Sequence, residues 1–126
     1  MPLLQFDTTL TLDAAEKEAF AAFVRETYAD VMRTGTDHVA VALRTHDDAA
    51  LSIGRDVDGP LLFLDAEVRR GRDDETKREF ALAVMERARE THGVPSGNLK
   101  VVFTEHDGPS MMGYDRVGAA WTPEEG

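Results

Sequence analysis

Apolar side chains along the chain switch between strand-like and helix-like spacing in the order strand, helix, strand, and this order occurs twice. Residues 3–12 and 61–68 are rich in apolar, β-branched and aromatic types over strand lengths. Two further apolar runs, residues 39–43 and 99–103, predict the second strand of each unit. The pattern therefore predicts two consecutive β-α-β units.

Between the two strands of each unit, apolar residues recur at the spacing of one helix face. They are Phe20, Phe23, Val24 and Val31 in the first unit, and Phe80, Ala83, Val84 and Ala88 in the second. Asp13, with Glu16 three residues later, predicts a capping box, and Asp73 predicts the matching helix start. Gly35 and residues 92–95 predict the two helix ends. A helix that joins two strands makes them parallel neighbours.

Two such units side by side predict an α+β fold, a four-stranded mixed sheet with both helices on one face. The other face would carry Leu3, Ala40, Ala42, Leu61, Phe63 and Val102. A face this apolar is rarely left in contact with water, so we expect other subunits to cover it. Residues 48–59 and 107–126 are punctuated by Gly, Asp and Pro, and we expect them to form short strands or hooks that reach a neighbour.

The two halves, residues 1–58 and 59–126, also share short phrases within what we predict to be a single domain over residues 1–126. The letters PLL begin at Pro2 and again at Pro60. The interval between these prolines is slightly shorter than the interval from Asp13 to Asp73, which equals that from His46 to His106. This difference predicts a two-residue insertion in the second half, near Arg69.

The composition excludes several classes of protein. The net charge of −10 repels nucleic-acid backbones, so we expect no nucleic-acid partner. The chain has no cysteine, which excludes disulfides, thiol nucleophiles and thiolate metal sites. Without an apolar run of membrane-spanning length or a leader pattern, we expect a cytoplasmic protein with no membrane partner.

Proline at position 2 bears on the chemistry. Removal of Met1 would leave Pro2 with a free secondary amine. A chain-terminal amine has a reference pKa of about 7.7–8.0, which nearby cations or burial lower. Such a group can act as a general base near neutral pH. The alternative is an inert chain start.

A dense cationic cluster, Arg69, Arg70 and Arg72, interrupts this acidic chain where the third strand ends and the second helix begins. Arginines at such a junction can hold a carboxylate bidentately. The alternative is a solvated cluster paired with the acidic residues that follow, Asp73, Asp74 and Glu75.

Other candidate chemistry is weaker. His46 and His106 each precede an aspartate and could suggest a metal site, but both are predicted to lie at strand ends, so we expect turns, no metal and no cofactor. Residues 109–114, PSMMGY, could line a pocket, which would make Tyr114 a substrate contact, or could simply pack.

These features together resemble the tautomerase superfamily: a second-position proline that opens a strand, two β-α-β halves, and arginines after the third strand. Within it, the chain is most similar to the cis-3-chloroacrylic acid dehalogenase group, through TGTDH at residues 34–38, the Arg69-x-Gly71-Arg72 spacing, and residues 101–116. The resemblance implies a trimer in which Pro2 is catalytic and Arg69 and Arg72 bind a carboxylate.

The chain departs from the dehalogenase pattern at three positions. Asp30 stands where that group has an active-site histidine, Val102 where it has a tyrosine, and Gly113 where it has a glutamate. The helpers expected to activate water are therefore missing. A second relative that the chain resembles is malonate semialdehyde decarboxylase.

That second resemblance implies a catalytic role for Asp37 and an arginine pair at Arg70 and Arg72, so the choice between Arg69 and Arg70 stays open. Asp37 could instead be an ordinary turn residue after Gly35.

Three hypotheses about function follow. The first is a tautomerase in which Pro2 moves a proton on an enolisable 2-oxo acid while arginines hold its carboxylate. We expect Pro2, Arg69, Arg72 and Asp37 to be catalytic. The substrate would contact Arg69, Arg70, Arg72, Val102 and Tyr114. The second hypothesis is a dehalogenase-like or decarboxylase-like enzyme with a cationic Pro2, in which Asp37 or Asp30 orients water. The third is a trimeric binding protein that has kept the fold without catalysis.

Overall fold

A computed structural model describes residues 1–55, 57–119 and 121–123. The strands of its main sheet are β1 (Leu3–Thr8), β2 (Ala40–Thr45), β3 (Leu62–Arg69) and β4 (Leu99–His106). The helices are α1 (Ala14–Met32) and α2 (Asp74–His92). Two short strands, β5 (Met112–Gly113) and β6 (Arg116–Val117), form a separate hairpin. Short 3₁₀ turns cover Asp48–Ala50, Ser96–Asn98 and Gly108–Ser110.

The main sheet has the strand order β2-β1-β3-β4. Strands β1 and β2 are parallel, as are β3 and β4, while β1 and β3 are antiparallel. Side chains from both helices join one buried cluster with one face of the sheet. The predicted α+β fold, two β-α-β units in a mixed sheet with helices on one face, is confirmed. Strand β1 ends earlier than predicted because the Thr8 hydroxyl donates to Leu61 O and accepts from Leu10 N, which turns the chain away.

Local capping determines where each helix begins and ends. The Asp13 side chain accepts from Glu16 N at 2.8 Å and the Glu16 carboxylate accepts from Asp13 N, so the predicted capping box is confirmed. Helix α2 ends as predicted at Gly93, whose φ is +67°. Helix α1 ends near Gly35 as predicted: its last residue is Met32, and its cap is Arg33 with φ +57°. The carbonyl of Arg33 accepts a hydrogen bond from Trp121 Nε1, a long-range contact near the end of the chain.

Aromatic side chains from both helices fill the core. Phe20 of α1 packs edge-on against Phe6 of β1, with ring centroids 5.0 Å apart. Tyr28 packs in the same way on Phe80 of α2, at 5.1 Å. Each of these rings is at most 1% exposed. Burying such rings is among the largest stabilising terms of a small core, so these contacts hold both helices on the sheet.

The open face of the sheet differs from its predicted apolar character. Leu3 and Val102 are exposed there as expected, at 39% and 48%. The two central strands also place polar side chains on this face, because every second residue points outward. These residues are Gln5 and Asp7 on β1, and Asp65 and Glu67 on β3. Leu61 precedes β3. Leu3 and Phe63 lie on this face of the central strands as predicted, but the polar residues beside them make the face mixed rather than apolar.

The two halves correspond element by element without an insertion. Leu3 pairs with Ala40 in the first unit, and Phe63 pairs with Lys100 in the same way in the second. The same number of residues separates Leu3 from Phe63, the start of α1 from the start of α2, and the 3₁₀ turn after β2 from the 3₁₀ turn after β4. The predicted two-residue insertion is therefore wrong. The structural counterpart of Pro2 is Leu62, and the repeated PLL is a coincidence of composition.

Candidate active site

The antiparallel pairing of β1 and β3 brings the chain start to the arginine cluster. Leu3 pairs with Glu67, so the residue before Leu3 lies beside the end of β3 and Arg69. Pro2 is buried, and its carbonyl accepts a hydrogen bond from Ala40 N at 3.1 Å. The backbone thus holds Pro2 between β2 and β3 within a single chain.

A pocket of about 140 Å³ opens at this end of the sheet. It is lined by Met1, Pro2, Thr34, Gly35, Asp37, His38, Arg69, Arg116 and Gly118. Three segments that are distant in sequence therefore meet at Pro2: the loop after α1, the end of β3, and the β5–β6 hairpin. Met1 occupies the position next to the Pro2 nitrogen, so removal of Met1 would place a free amine in the pocket.

Arg69 is held at the pocket by the chain segment that follows β6. Its Nη1 donates to the carbonyl of Ala119 at 2.7 Å. The side chain is nearly buried, and its Cδ lies only 3.4 Å from where a Cβ on Gly118 would sit. This close packing restricts the rotamers available to Arg69, so the arginine lines the pocket in a fixed position.

Arg72 does not line the pocket. Its Nε donates to the carbonyl of Met32 at 2.7 Å, and its guanidinium lies 4.7 Å from the ring centroid of Trp121 and 5.6 Å from that of Tyr28. The side chain is 6% exposed. Gly71, with φ +129°, turns the chain between Arg69 and Arg72, so the two arginines point to different places. The structure therefore places Arg72 in a structural setting rather than beside Pro2.

Arg70 faces solvent and pairs with Asp107 at 2.9 Å, with both side chains more than half exposed. Between Arg69 and Arg70, the structure brings Arg69 to the pocket. This choice was left open by the sequence.

The sequence offered Asp37 either as a residue of the site or as an ordinary turn residue, and its position in the structure is compatible with both. The backbone N–H of Val39 donates to Thr36 O at 3.1 Å, so Asp37 lies in a turn between α1 and β2, and its side chain also lines the pocket. His38, its neighbour, lines the pocket too and was not predicted.

Arg116 is the second residue that sequence reasoning missed. It reaches the pocket from strand β6, in a segment that the sequence predicted only as a short strand or hook. A lone arginine in a hairpin carries no spacing signal, so only the folded position of the hairpin reveals it. Together with Arg69 it gives the pocket two lining arginines.

The other predicted site residues lie elsewhere on the described chain. Val102 is exposed on the open sheet face, and Tyr114 is fully exposed in the β5–β6 hairpin. Asp30 is exposed on α1. Gly113 lies beside Met1, because a Cβ built on it would be 3.0 Å from Met1 Cε.

Two carboxylate–histidine pairs lie on the open sheet face at equivalent positions of the two halves. His46 Nε2 lies 2.7 Å from Asp7 Oδ1, and His106 Nε2 lies 3.0 Å from Glu67 Oε1. Hydrogen bonding to Arg44 lowers the pKa of Asp7. Hydrogen bonding to His106 lowers the pKa of Glu67, while burial raises the pKa of Asp65.

No cluster of three or more potential metal ligands occurs among the residues that the structure describes. In the same residues, neither helix is long and apolar enough to cross a membrane.

Comparison with solved structures identifies the fold. A member of the cis-3-chloroacrylic acid dehalogenase family named N1 superposes with a TM-score of 0.85 at 19% identity, over 98% of this chain and 87% of that one. A fused 4-OT symmetric trimer gives 0.80 at 17% identity, over 93% and 95%. The FG41 malonate semialdehyde decarboxylase inhibited by 3-bromopropiolate gives 0.75 at 19%, over 90% and 91%.

No protein-family model and no curated protein sequence matches the chain. The structural neighbours are tautomerase-superfamily members, so the chain has the tautomerase fold that its sequence resembles.

Proposed function

We propose that the chain, once Met1 is removed, is a tautomerase that uses the amine of Pro2 as a general base on enolisable 2-oxo acids. The observation that carries this proposal is the meeting of Pro2 with Arg69 and Arg116 in one pocket. A base beside two guanidinium groups is the arrangement that proton transfer next to a carboxylate requires.

In the proposed reaction, the Pro2 nitrogen accepts a proton from C3 of the 2-oxo acid, and the electron pair of the broken C–H bond moves to the 2-oxo oxygen to form an enolate. Return of a proton to this oxygen gives the enol, and return to C3 regenerates the ketone. Arg69 and Arg116 hold the carboxylate and stabilise the charge that develops on the oxygen. Their positive charges also disfavour protonation of Pro2 and so lower its pKa.

A second candidate function rests on Asp37, which lines the same pocket. The negative charge of Asp37 would favour the protonated form of Pro2. A dehalogenase or decarboxylase would use this cationic proline, with Asp37 orienting water. Two of the structural neighbours are a member of a dehalogenase family and a decarboxylase. The two functions therefore differ in the direction in which the pocket shifts the pKa of Pro2.

The proposed enzyme is a homotrimer, cytoplasmic and acting on a small carboxylate. A fused 4-OT protein with the same fold is a symmetric trimer. Val102, 48% exposed on strand β4 of the open sheet face, gives a second copy an apolar contact to cover. In a trimer, the predicted substrate contacts of Val102 and Tyr114 would be made in the pocket of a neighbouring subunit. Light scattering that finds a monomer at micromolar concentration, with activity unchanged on dilution, would exclude this assembly.

The decisive experiment is a titration of the Pro2 nitrogen. Mass spectrometry first establishes that the chain begins at Pro2, and NMR of ¹⁵N-proline-labelled protein then follows its protonation. We expect a pKa below the reference of about 7.7–8.0, and kcat/KM that rises with the same group. A raised value would favour the decarboxylase or dehalogenase function. A correctly processed chain that is inert towards every 2-oxo acid and haloacrylate would favour the binding protein.

A further inference from the structure

A second pocket, of about 330 Å³, lies on the other side of Met1 from the Pro2 pocket. Its walls include Leu3, Met111 and Met112, together with the Glu67–His106 pair. Leu3 is 39% and Met112 64% exposed, so the walls are accessible in the described chain. Nothing in the proposed proton transfer uses this pocket.

Met1 is the residue that both pockets share. The proposed function requires its removal, and in the processed chain the two pockets would then adjoin at the Pro2 amine. The Pro2 pocket alone, at about 140 Å³, is smaller than the roughly 300–1,000 Å³ of ordinary small-molecule sites. The second pocket, at about 330 Å³, supplies room for a substrate longer than its reacting 2-oxo acid group.

The two pockets carry opposite charges. Arg69 and Arg116 line the Pro2 pocket, and Glu67 lines the second pocket. Hydrogen bonding to His106 lowers the pKa of Glu67, so this carboxylate is ionised at neutral pH. Its side chain is 25% exposed, which limits the screening of its charge by water. Apolar Leu3 and Met112 lie beside it.

We propose that this second pocket binds the distal end of the substrate and that Glu67 restricts it to 2-oxo monocarboxylates with an uncharged tail, excluding dicarboxylates. The proposal rests on the proposed function, because it needs the pocket that opens at Pro2. A second substrate carboxylate would lie among apolar walls beside the like charge of Glu67, whereas an alkyl tail would bury its surface on Leu3 and the methionines.

The test uses two acids of the same shape. In 5-methyl-2-oxohexanoate an isopropyl group replaces the distal carboxylate of 2-oxoglutarate. Exchange of the C3 protons in D2O, followed by ¹H NMR, measures the proposed proton transfer on each, and isothermal titration calorimetry measures binding. We expect the processed protein to prefer the monocarboxylate by about tenfold or more in both measurements, as one close pair of partly screened carboxylates implies.

Glu67→Gln removes the charge while keeping the side-chain size. It should reduce the preference at least about fivefold, mainly by improving the binding and exchange of 2-oxoglutarate. The matched control is His46→Gln, which alters the equivalent pair with Asp7 at the other end of the sheet and should leave the preference unchanged.

Equal efficiency and affinity for the two acids in the unsubstituted protein, or an unchanged preference in Glu67→Gln, would overturn the proposal. The proposed function can fail independently of this proposal. If the protein bound 5-methyl-2-oxohexanoate more tightly than 2-oxoglutarate but exchanged no C3 protons, proton transfer would be rejected and the charge-selective pocket would be kept. Absent exchange with no binding of either acid would reject both.

Discussion

Replacing Arg72 by alanine should destabilise the protein far more than it changes substrate binding. The mutation removes the hydrogen bond from Arg72 Nε to the carbonyl of Met32, at the last residue of α1. It also removes the guanidinium that stacks on Trp121 at 4.7 Å. Because the carbonyl of Arg33 accepts from Trp121 Nε1, these contacts tie the end of α1 to the chain end.

The magnitude follows from these contacts. A hydrogen bond to a charged group contributes about 1.5–3 kcal/mol, and a cation–π contact about 0.5–2 kcal/mol. With Arg72 only 6% exposed, solvent screens neither contact appreciably. The free energy of unfolding should therefore fall by about 2–5 kcal/mol, which lowers the melting temperature by roughly 8–20 °C for a domain of this size.

The neighbouring arginines provide matched controls. Arg70→Ala breaks only an exposed pair with Asp107 and should change stability by less than about 1 kcal/mol, with no effect on activity. Arg69→Ala should raise KM for 2-oxo acids or abolish turnover, because its guanidinium lines the Pro2 pocket. Arg69→Lys should restore little, since an ammonium cannot replace a planar bidentate donor.

Thermal unfolding at one fixed protein concentration and initial-rate kinetics well below the melting temperature separate these effects. If Arg72→Ala kept the melting temperature of the unsubstituted protein but raised KM strongly, Arg72 would contact the substrate. The structural account of the cluster would then be wrong.

Three further predictions concern the chain start, the substrate and pH. Pro2→Ala should keep the fold and lose most of kcat, whereas Pro60→Ala, at the opposite end of the sheet, should leave kcat unchanged. Equal losses of kcat in steady-state assays of the two variants would mean that both prolines are structural. The protein should tautomerise phenylenolpyruvate and release little halide from cis-3-chloroacrylate, because Val102 and Gly113 replace the expected water-activating residues. Ultraviolet absorbance measures the tautomerase activity and a halide electrode measures the dehalogenase activity. A dehalogenase activity higher than the tautomerase activity would favour the dehalogenase function. Asp7→Asn should lower the free energy of unfolding by up to about 1 kcal/mol at pH 7, because the folded state lowers the pKa of Asp7 below its ordinary 3.8. This contribution is lost as the pH falls through the lowered pKa, so urea unfolding of the two proteins should differ at pH 7 and agree in acid. A difference in stability that persists in acid would indicate that Asp7 acts through packing.

Local patterns in the sequence were sufficient for most of the fold. The strand periods and the Asp13 and Asp73 caps depend on residues near one another in the chain, so both helices and all four main strands were predicted. The repeat was misaligned at Pro60 because two phrases of only three letters coincide easily by chance. Strand register shows that the interval from Asp13 to Asp73, and not the one between the two prolines, relates the strands of the two units.

The candidate site was predicted in part, and its errors have a common physical cause. Pro2, Asp37 and Arg69 were predicted and meet in one pocket. Arg72 was predicted to join them from its spacing, but the positive φ of Gly71 separates the two arginines, and a Cβ there would lie 2.4 Å from the carbonyl oxygen of Trp121. Arg116 depends on where the β5–β6 hairpin folds back. Long-range contacts of this kind leave no periodic signal.

The duplicated fold explains why chemistry is expected at only one end of the sheet. In the alignment of the two halves, the counterpart of Arg69 is Thr9 and the counterpart of Asp37 is Gly97, so neither the guanidinium nor the carboxylate is repeated at these positions. The counterpart of Pro2 is Leu62, whose nitrogen belongs to an internal peptide bond.

A proline nitrogen is a free secondary amine only at the start of a chain. A second β-α-β unit can therefore repeat the strands, the helix and the carboxylate–histidine pair, but it cannot repeat the proposed Pro2 base. The Asp7–His46 pair lies at the end of the sheet without the proposed base, so such a pair can form where no proton transfer is expected. On our proposals, Glu67–His106 has a second role because strand pairing places Glu67 opposite Leu3, next to Pro2.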